Sequence, residues 1–434
     1  MNASTLALPP GQRVAVVGSG IAGLASAYLL ARKHQVTLFE ATGYAGGHTN
    51  TVDVSLEGLH APVDTGFLVF NDRTYPNLVA LFDELGVSAV ASDMSFSVSV
   101  DGGALEWAGT NLNTVFAQRR NLYSPSFLGM LRDVLRFNAT AHAHLRDAIS
   151  QRQSVGDLLL ANGYGQPFQD HYLLPMAAAI WSSRAADILH FPAATFLRFC
   201  LNHALLQIRH RPQWKTVAGG GRDYVRRMVA TLGDVRLRTP VHRVSRDAQG
   251  VTLSFGDGQS QRFDAVVLAG HAPDSLRLLS DVSPAEQRIL GAVRYQPNSA
   301  VLHTDTTLLP RRRRVWSAWN YVSRGGRIAD TQRPVCVSYL INQLQALPFA
   351  SPVIVTLNPV EEPAPHTVLG RYAYDHPLLD LAAVDAQSHL PELQGQRRTW
   401  FAGAWTGYGF HEDGLKSALR VAADFDVLPA WAKL

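Results

Sequence analysis

The chain begins with short apolar runs separated by helical periodicity. Residues 13–18, RVAVVG, form a β-rich apolar run that ends in glycine. Apolar positions at helical spacing follow over 21–33, and 35–40, QVTLFE, is a second run. Strand, tight turn, helix and strand in that order begin a parallel sheet. Residues 51–70 predict more strand, most clearly PVDTGFLVF, and 76–86 predict a helix that stops at Gly86. From 122 to 210 the pattern turns helical. Ser124 has N-cap chemistry, with Pro125 at the first helical position. Phe127, Leu128, Leu131, Val134 and Leu135 then share a predicted apolar face, with Arg132 and Arg136 away from it. Two readings stand for that face: packing on its own domain, or contact with a membrane surface. A glycine-rich turn leads into a helix over 215–232. Strands are expected at 235–245, 250–256 and 262–269, with GDGQ as a hairpin signal, then at 299–304, 334–341 and 352–357. A short strand at 399–403, TWFAG, and a helix at 414–427 close the pattern.

Composition narrows the class without naming it. With 434 residues, 47% hydrophobic and 17% charged, the chain suits about two globular domains. No run reaches the ~18 uncharged apolar residues that span a bilayer. The opening MNASTLALPPGQR lacks the basic-then-apolar order of a secretory signal and reads as a short disordered lead-in. Cys200 and Cys336 are the two cysteines, far apart, so neither a disulfide framework nor a metal site is expected. The expected location is the cytoplasm, peripheral to the inner membrane face if the chain touches lipid. The dense basic run is Arg311 to Arg314, read either as a solvated loop or as contact with phospholipid headgroups. No aromatic–basic interleaving accompanies it, so nucleic acid is not an expected partner.

The first chemistry lies in GSGIAG. Gly18 permits a tight turn, Gly20 lets backbone approach a diphosphate, and Gly23 lets the helix pack close to the sheet. Ser19, Ile21 and Ala22 complete the turn, and the helix N-terminus supplies free N–H groups for phosphate. Glu40 ends the second strand, 22 positions after Gly18, where its carboxylate can accept from ribose hydroxyls and disfavours a 2′-phosphate. Ala41 follows it. Gly46 and Gly47, six and seven residues after Glu40, offer a second backbone loop for the diphosphate.

The segment TWFAGAWTGYGFHEDGLKSALRVA resembles the closing motif of the flavin amine oxidase superfamily. Together with GGHTNTVDV, DTGFLVFNDRTYPNL, SDMSFSVS, NLNTVFAQRRNL, AAIWSS and VTLNP, it resembles one bacterial group of that superfamily, related to the N-terminal part of plant cyclopropane fatty acid synthases. The resemblance covers essentially the whole chain. It implies an α/β fold: a discontinuous Rossmann-type FAD-binding domain over 10–75, 212–290 and 395–430, with an α+β substrate domain over 76–211 and 291–394. It implies that Gly403, Gly414 and Leu415 approach the flavin ring, that Val241 in RTPVHRV meets adenine, and that Thr65, Gly66 and Phe67 face the flavin, with Asp64 structural. It also implies a lipid acyl substrate and a cyclopropane synthase-like methyltransferase as partner. Three departures matter. His48 stands where many amine oxidases carry arginine. No lysine lies between Lys215 and Lys416 to serve flavin N5. No cysteine in the closing motif can tether the ring, so FAD is expected to be non-covalent.

Hydride transfer to a flavin needs position more than acid–base groups. His411, Glu412 and His171 are the catalytic candidates. For the first two, the competing reading is support of the closing helix, with Asp413 as its N-cap. Tyr172, Trp181, Trp316, Trp319 and Tyr321 are candidate pocket residues, each equally readable as core. The leading expectation is desaturation of a lipid acyl chain. The alternatives are double-bond isomerisation and a non-catalytic flavoprotein that presents lipid to a methyltransferase.

Overall fold

The computed structural model describes residues 9–207, 211–323 and 335–434. The lead-in up to residue 8 and the first residue of the strand expected at 334–341 lie outside these. Five strands form a parallel sheet in the order Asp234–Arg236, Gln35–Phe39, Arg13–Val17, Ala265–Leu268, Thr399–Phe401. The sheet therefore joins the start, middle and end of the chain. Its inner strands are apolar on both faces, as a sheet covered on both sides requires. One face carries the helices Ile21–Leu30 and His411–Asp424. The other carries the antiparallel strands Val241–Arg246, Val251–Phe255 and Ser260–Phe263.

A second sheet has seven strands in the order Val368–Ala373, Ser299–His303, Ile354–Leu357, Cys336–Leu340, Trp319–Ser323, Phe96–Val100, Leu105–Ala108. It packs with the helices between 125 and 202 around a separate core. No helix among the described residues is long and apolar enough to cross a membrane.

Several expected elements shift for physical reasons. The single strand expected at 235–245 is two, because the chain turns at Arg238 (φ 51°) and Pro240 has no N–H to donate. Its first half joins the parallel sheet. Arg238 N and Thr239 N then bond Thr42 O and Glu40 O, which fixes the loop beside Glu40. The long helix Pro125–Gln151 starts at Ser124, whose hydroxyl accepts from Phe127 N at 3.3 Å. Its buried face is the predicted one only in part: Phe127 is buried, and Leu131 and Val134 pack half-buried against the core. Phe127, Met130, Asp133, Phe137, Ala141, His144 and Ala148 are inside, whereas Leu128 and Leu135 are exposed. Polar Asp133 lies inside with Oδ2 bonded by Gly165 N at 2.9 Å and Oδ1 facing Arg136 at 3.3 Å, and His144 Nε2 bonds Tyr164 OH at 2.8 Å.

Candidate functional site

Gly20 caps the helix Ile21–Leu30 without a side chain, so the first-turn N–H groups stay open. A Cβ at Gly20 would meet no protein atom within 4 Å. One at Gly23 would stand 1.8 Å from Gly18 O. Gly23 is thus demanded by packing, and Gly20 by the space in front of it. Glu40 accepts from Ser19 N at 3.0 Å, Ser19 Oγ at 2.5 Å and Thr42 N at 2.8 Å. Gly46 N bonds Ser19 O at 2.9 Å, and a Cβ on Gly47 would lie 3.0 Å from Gly20 Cα. The two glycine loops therefore touch.

Both loops border one elongated cavity of about 930 Å³, at the upper end of the range for ligand pockets. Gly18, Ser19, Gly20, Ile21, Ala22, Glu40, Ala41, Gly46, Gly47, His48, Thr65, Gly66, Phe67, Val241, Gly403 and His411 all line it. Gly23, Gly414 and Leu415 lie behind its wall. Gly414 N is taken by Phe410 O at 3.0 Å, because the closing helix starts at His411 rather than at 414. Gly414 instead lets two helices meet: a Cβ there would stand 2.7 Å from Ile21 Cγ2. The N-termini of the first and closing helices converge at this point, and both favour negative charge.

The catalytic candidates divide. His411 borders the cavity, but its Nε2 bonds Thr49 Oγ1 at 2.8 Å and Tyr224 OH at 3.1 Å. Its ring stacks on Phe67 at 3.7 Å, and burial pushes its pKa down to about 3. It holds Phe67 in place as a neutral ring. Glu412 is buried away from the cavity and accepts from Asn77 N, Asn77 Nδ2 and Leu78 N at 3.1, 2.7 and 3.0 Å. It caps the helix Pro76–Leu85. Asp413 is not the N-cap; it sits one turn in and accepts from Phe410 N at 3.0 Å. His171 does not line the cavity and packs beside Trp107, whose Nε1 bonds the His171 carbonyl. Asp64 is a buried anchor, accepting from Gly221 N and Gln345 Nε2.

Charge is segregated along the cavity. Among the described residues, its charged side chains are Glu40, Asp274, Arg277 and Asp375. Asp274 pairs with Arg277 at 2.7 Å beside Val241, and the Asp375 backbone bonds His48. These belong with the glycine loops. At the other end, the helical region and the seven-stranded sheet supply Ile180, Trp181, Phe199, Trp319, Tyr339 and Val355, with Ser182 and His203. Among the described residues, that end is lined by no Asp, Glu, Lys or Arg. None of the four lysines borders the cavity; Lys215 pairs with Asp72 on the surface. Burial pushes His203 down to about 4, and its Nδ1 bonds Phe199 O at 3.0 Å. Of the pocket candidates, Trp181 and Trp319 reach the cavity, while Tyr172, Trp316 and Tyr321 do not. Phe199 and His203 were missed in the sequence. Their spacing of four on one helix face, with rings 3.8 Å apart, was the available signal.

Three buried side-chain nitrogens on the cavity wall lack a partner among the described residues: His48 Nε2, Trp319 Nε1 and Trp405 Nε1. Buried polar atoms are almost always paired, so these expect a ligand. Open space at Gly20, the Glu40 carboxylate on the cavity wall and two converging helix N-termini fit a dinucleotide-type cofactor. These features define a flavin-type dinucleotide fold with a second, substrate-side domain.

The family described as flavin containing amine oxidoreductase matches residues 21–425. The chain belongs to this family of flavin-dependent oxidoreductases. It is 33% identical to the carotenoid phi-ring synthase of Chlorobaculum tepidum over 129 residues, 27% of this chain and 20% of that one. It is 22% identical to an L-amino-acid oxidase of Bothrops moojeni over 317 residues, 68% of this chain and 60% of that one. The chain thus spans a fifth and three fifths of these two relatives' lengths. Among solved structures, the CLA-producing fatty acid isomerase from P. acnes shares the fold with a TM-score of 0.66. That match is at 15% identity, covering 95% of this chain and 98% of the other.

Proposed function

We propose that the protein is an FAD-dependent oxidoreductase that acts on a lipid acyl chain by desaturation. The observation that carries this reading is the uncharged, aromatic-lined end of the cavity. An ammonium or carboxylate group held there would lose its hydration without gaining an ion partner, at a cost of several kcal/mol. A hydrocarbon chain is favoured, by about 0.8 kcal/mol per buried CH2. The named relatives include one for a carotenoid ring and one for a fatty acid, which agrees with an apolar substrate.

The residues have distinct parts in this reading. Gly18 to Ala22, Gly46 and Gly47 hold the FAD diphosphate, and Glu40 takes the ribose. His48 and Trp405 supply unpaired nitrogens to the cofactor. FAD is held without a covalent bond; Cys200 and Cys336 are buried and neither lines the cavity. Once bound, the flavin supplies a hydride acceptor. Trp181, Phe199 and Trp319 orient the chain and exclude water. Loss of a hydride from one carbon must be matched by loss of a proton from its neighbour. His203 is the neutral imidazole at that end: its Nδ1–H donates to Phe199 O, which leaves the Nε2 lone pair to accept that proton.

The test is anaerobic incubation of the purified flavoprotein with phospholipids carrying saturated or monounsaturated chains, and with primary amines. Bleaching of the flavin by lipid, with a new double bond, is the expected result. Bleaching by amines alone would overturn it. The shared fold with a fatty acid isomerase favours a second reading, in which a double bond shifts with no net oxidation. An isomerase turns over anaerobically without an acceptor, whereas a desaturase stops after one flavin equivalent.

A further inference from the structure

The edge of the substrate domain carries a surface that the proposed chemistry does not use. Leu105–Ala108 is the terminal strand of the seven-stranded sheet, and two basic segments are tied to it. Buried Glu106 accepts from Arg311 N at 2.6 Å, Arg312 N at 3.2 Å and Arg312 Nη1 at 2.7 Å. Gln118 Nε2 bonds Gly103 O and Ala104 O at 3.0 and 3.2 Å, and Arg120 bonds Ala104 O as well. Ala108, Ala117 and Val315 form a small buried cluster between the segments. The run Arg311–Arg314 and the stretch 112–123 are thus held side by side, although about 190 residues separate them in sequence.

This edge joins exposed apolar side chains to arginine. Leu112 is 76% and Tyr123 86% exposed. Leu122 and Leu128 are exposed next to them. Arg119, Arg120, Arg311, Arg313 and Arg314, on the two segments tied to this strand, are exposed as well. Of the described carboxylates on the strand, the turn before it and its tied segments, Asp101 is exposed and Glu106 is fully buried. Large exposed apolar groups gathered in one place mark an interaction site. Arginines interspersed with Leu and Tyr match an interface that is anionic outside and apolar just beneath. The long helix at this edge, Pro125–Gln151, packs on Ala193–Asn202, which carries Phe199 to the cavity.

We infer that this edge docks the protein on an anionic phospholipid surface, with Leu112 and Tyr123 entering the headgroup layer and the arginines meeting phosphate. The inference does not depend on the substrate. No helix among the described residues can cross a bilayer, so the contact is peripheral.

The experiment is co-sedimentation of the full-length flavoprotein with phosphatidylglycerol-containing phosphatidylcholine vesicles and with pure phosphatidylcholine vesicles. Binding to the first, weak binding to the second and release by salt are expected. Arg313→Ser and Arg314→Ser each lower the partition coefficient about fivefold, and Leu112→Ser and Tyr123→Ser each about tenfold. All four side chains are exposed, so flavin content and Tm stay at wild-type values. No binding to the anionic vesicles overturns the inference, as does equal binding to both vesicle types. A dimer in gel filtration that Leu112→Ser with Tyr123→Ser converts to monomer also overturns it, because the patch then serves a second copy of the chain.

Discussion

Replacing Gly20 by alanine adds one methyl group where the protein has no atom within 4 Å. The backbone there, at φ −64° and ψ 178°, suits any L residue. The apoprotein should fold as before, with stability unchanged or raised by about 0.4–1 kcal/mol through a stiffer unfolded chain. The same methyl stands in front of the open N–H groups of the first helix. Hydrogen bonds to a charged group contribute about 1.5–3 kcal/mol each. A diphosphate pushed off two of them loses about 3–6 kcal/mol, roughly a hundredfold to ten-thousandfold in Kd. Gly23→Ala is the contrasting variant. Its Cβ would lie 1.8 Å from Gly18 O and 2.9 Å from Gly18 C, backbone atoms that cannot step aside, so both folding and binding should suffer. The assay is fluorescence titration of stripped protein with FAD, alongside thermal unfolding of the apo form. If Gly20→Ala bound FAD with the wild-type Kd, the diphosphate could not lie against this turn, and the assignment of the whole cavity would fall.

The other predictions concern buried polar groups. Glu412→Ala strands three N–H donors and should cost about 3 kcal/mol or more in denaturant unfolding, with the rate of reduction per bound flavin unchanged. A slower reduction at unchanged stability would move Glu412 into the chemistry. His203 titrates at about 4 when folded and near 6.5 when unfolded, so its contribution is present above pH 6.5 and is lost as the pH falls through 4. The unfolding free energy of His203→Phe relative to wild type should therefore rise by about 3 kcal/mol between pH 7 and pH 4. Equal pH slopes in both proteins would contradict the buried neutral state. The same variant should slow desaturation while leaving flavin binding intact. Lys215→Met removes a surface ion pair with Asp72 worth under about 1 kcal/mol, and should leave flavin reduction by substrate unchanged. A drop in that rate would show that a lysine serves the flavin after all.

What could be read from the sequence was local. Gly18, Gly20, Gly23 and Glu40 lie within one strand–turn–helix–strand unit, where spacing alone fixes their relation. Trp181 and Trp319 could be named as candidates but not separated from Trp316 and Tyr321, because nothing local tells a cavity wall from a core. His171 and His203 were equally plausible as letters in a helical region. The fold keeps one off the cavity wall, where its backbone carbonyl accepts from Trp107, and sets the other beside Phe199 on the cavity. The long helix shows the same limit. Leu128 and Leu135 looked like core by apolarity, but the buried positions include Asp133 and His144, whose partners Gly165 and Tyr164 lie on a later loop. The closing helix was displaced by three residues because Asp413 looks like an N-cap, although its carboxylate acts from inside the first turn.

The loop and first turn after Gly403 tie the site together, and this has a consequence for cofactor binding. Trp181 Nε1 reaches Tyr408 O at 3.3 Å from the helical region. His411 is fixed by Thr49 and Tyr224, from two other segments, and Glu412 caps a helix in a third. Gly414 allows the closing helix to press on Ile21 at the diphosphate turn. Each hold comes from a different part of the chain, so this stretch is placed only when the rest has folded. A cofactor spanning from Gly20 to Gly403 bridges the same parts. Binding to the folded chain alone must then stabilise it by RT ln(1 + [L]/Kd), about 2.7 kcal/mol at a hundredfold excess over Kd. His48 Nε2 and Trp405 Nε1, the two unpaired nitrogens assigned to the cofactor, lie along that bridge. The apo form therefore carries their desolvation cost, which the bound form relieves, and the loss of flavin should loosen the region around Trp405 before it disturbs the parallel sheet.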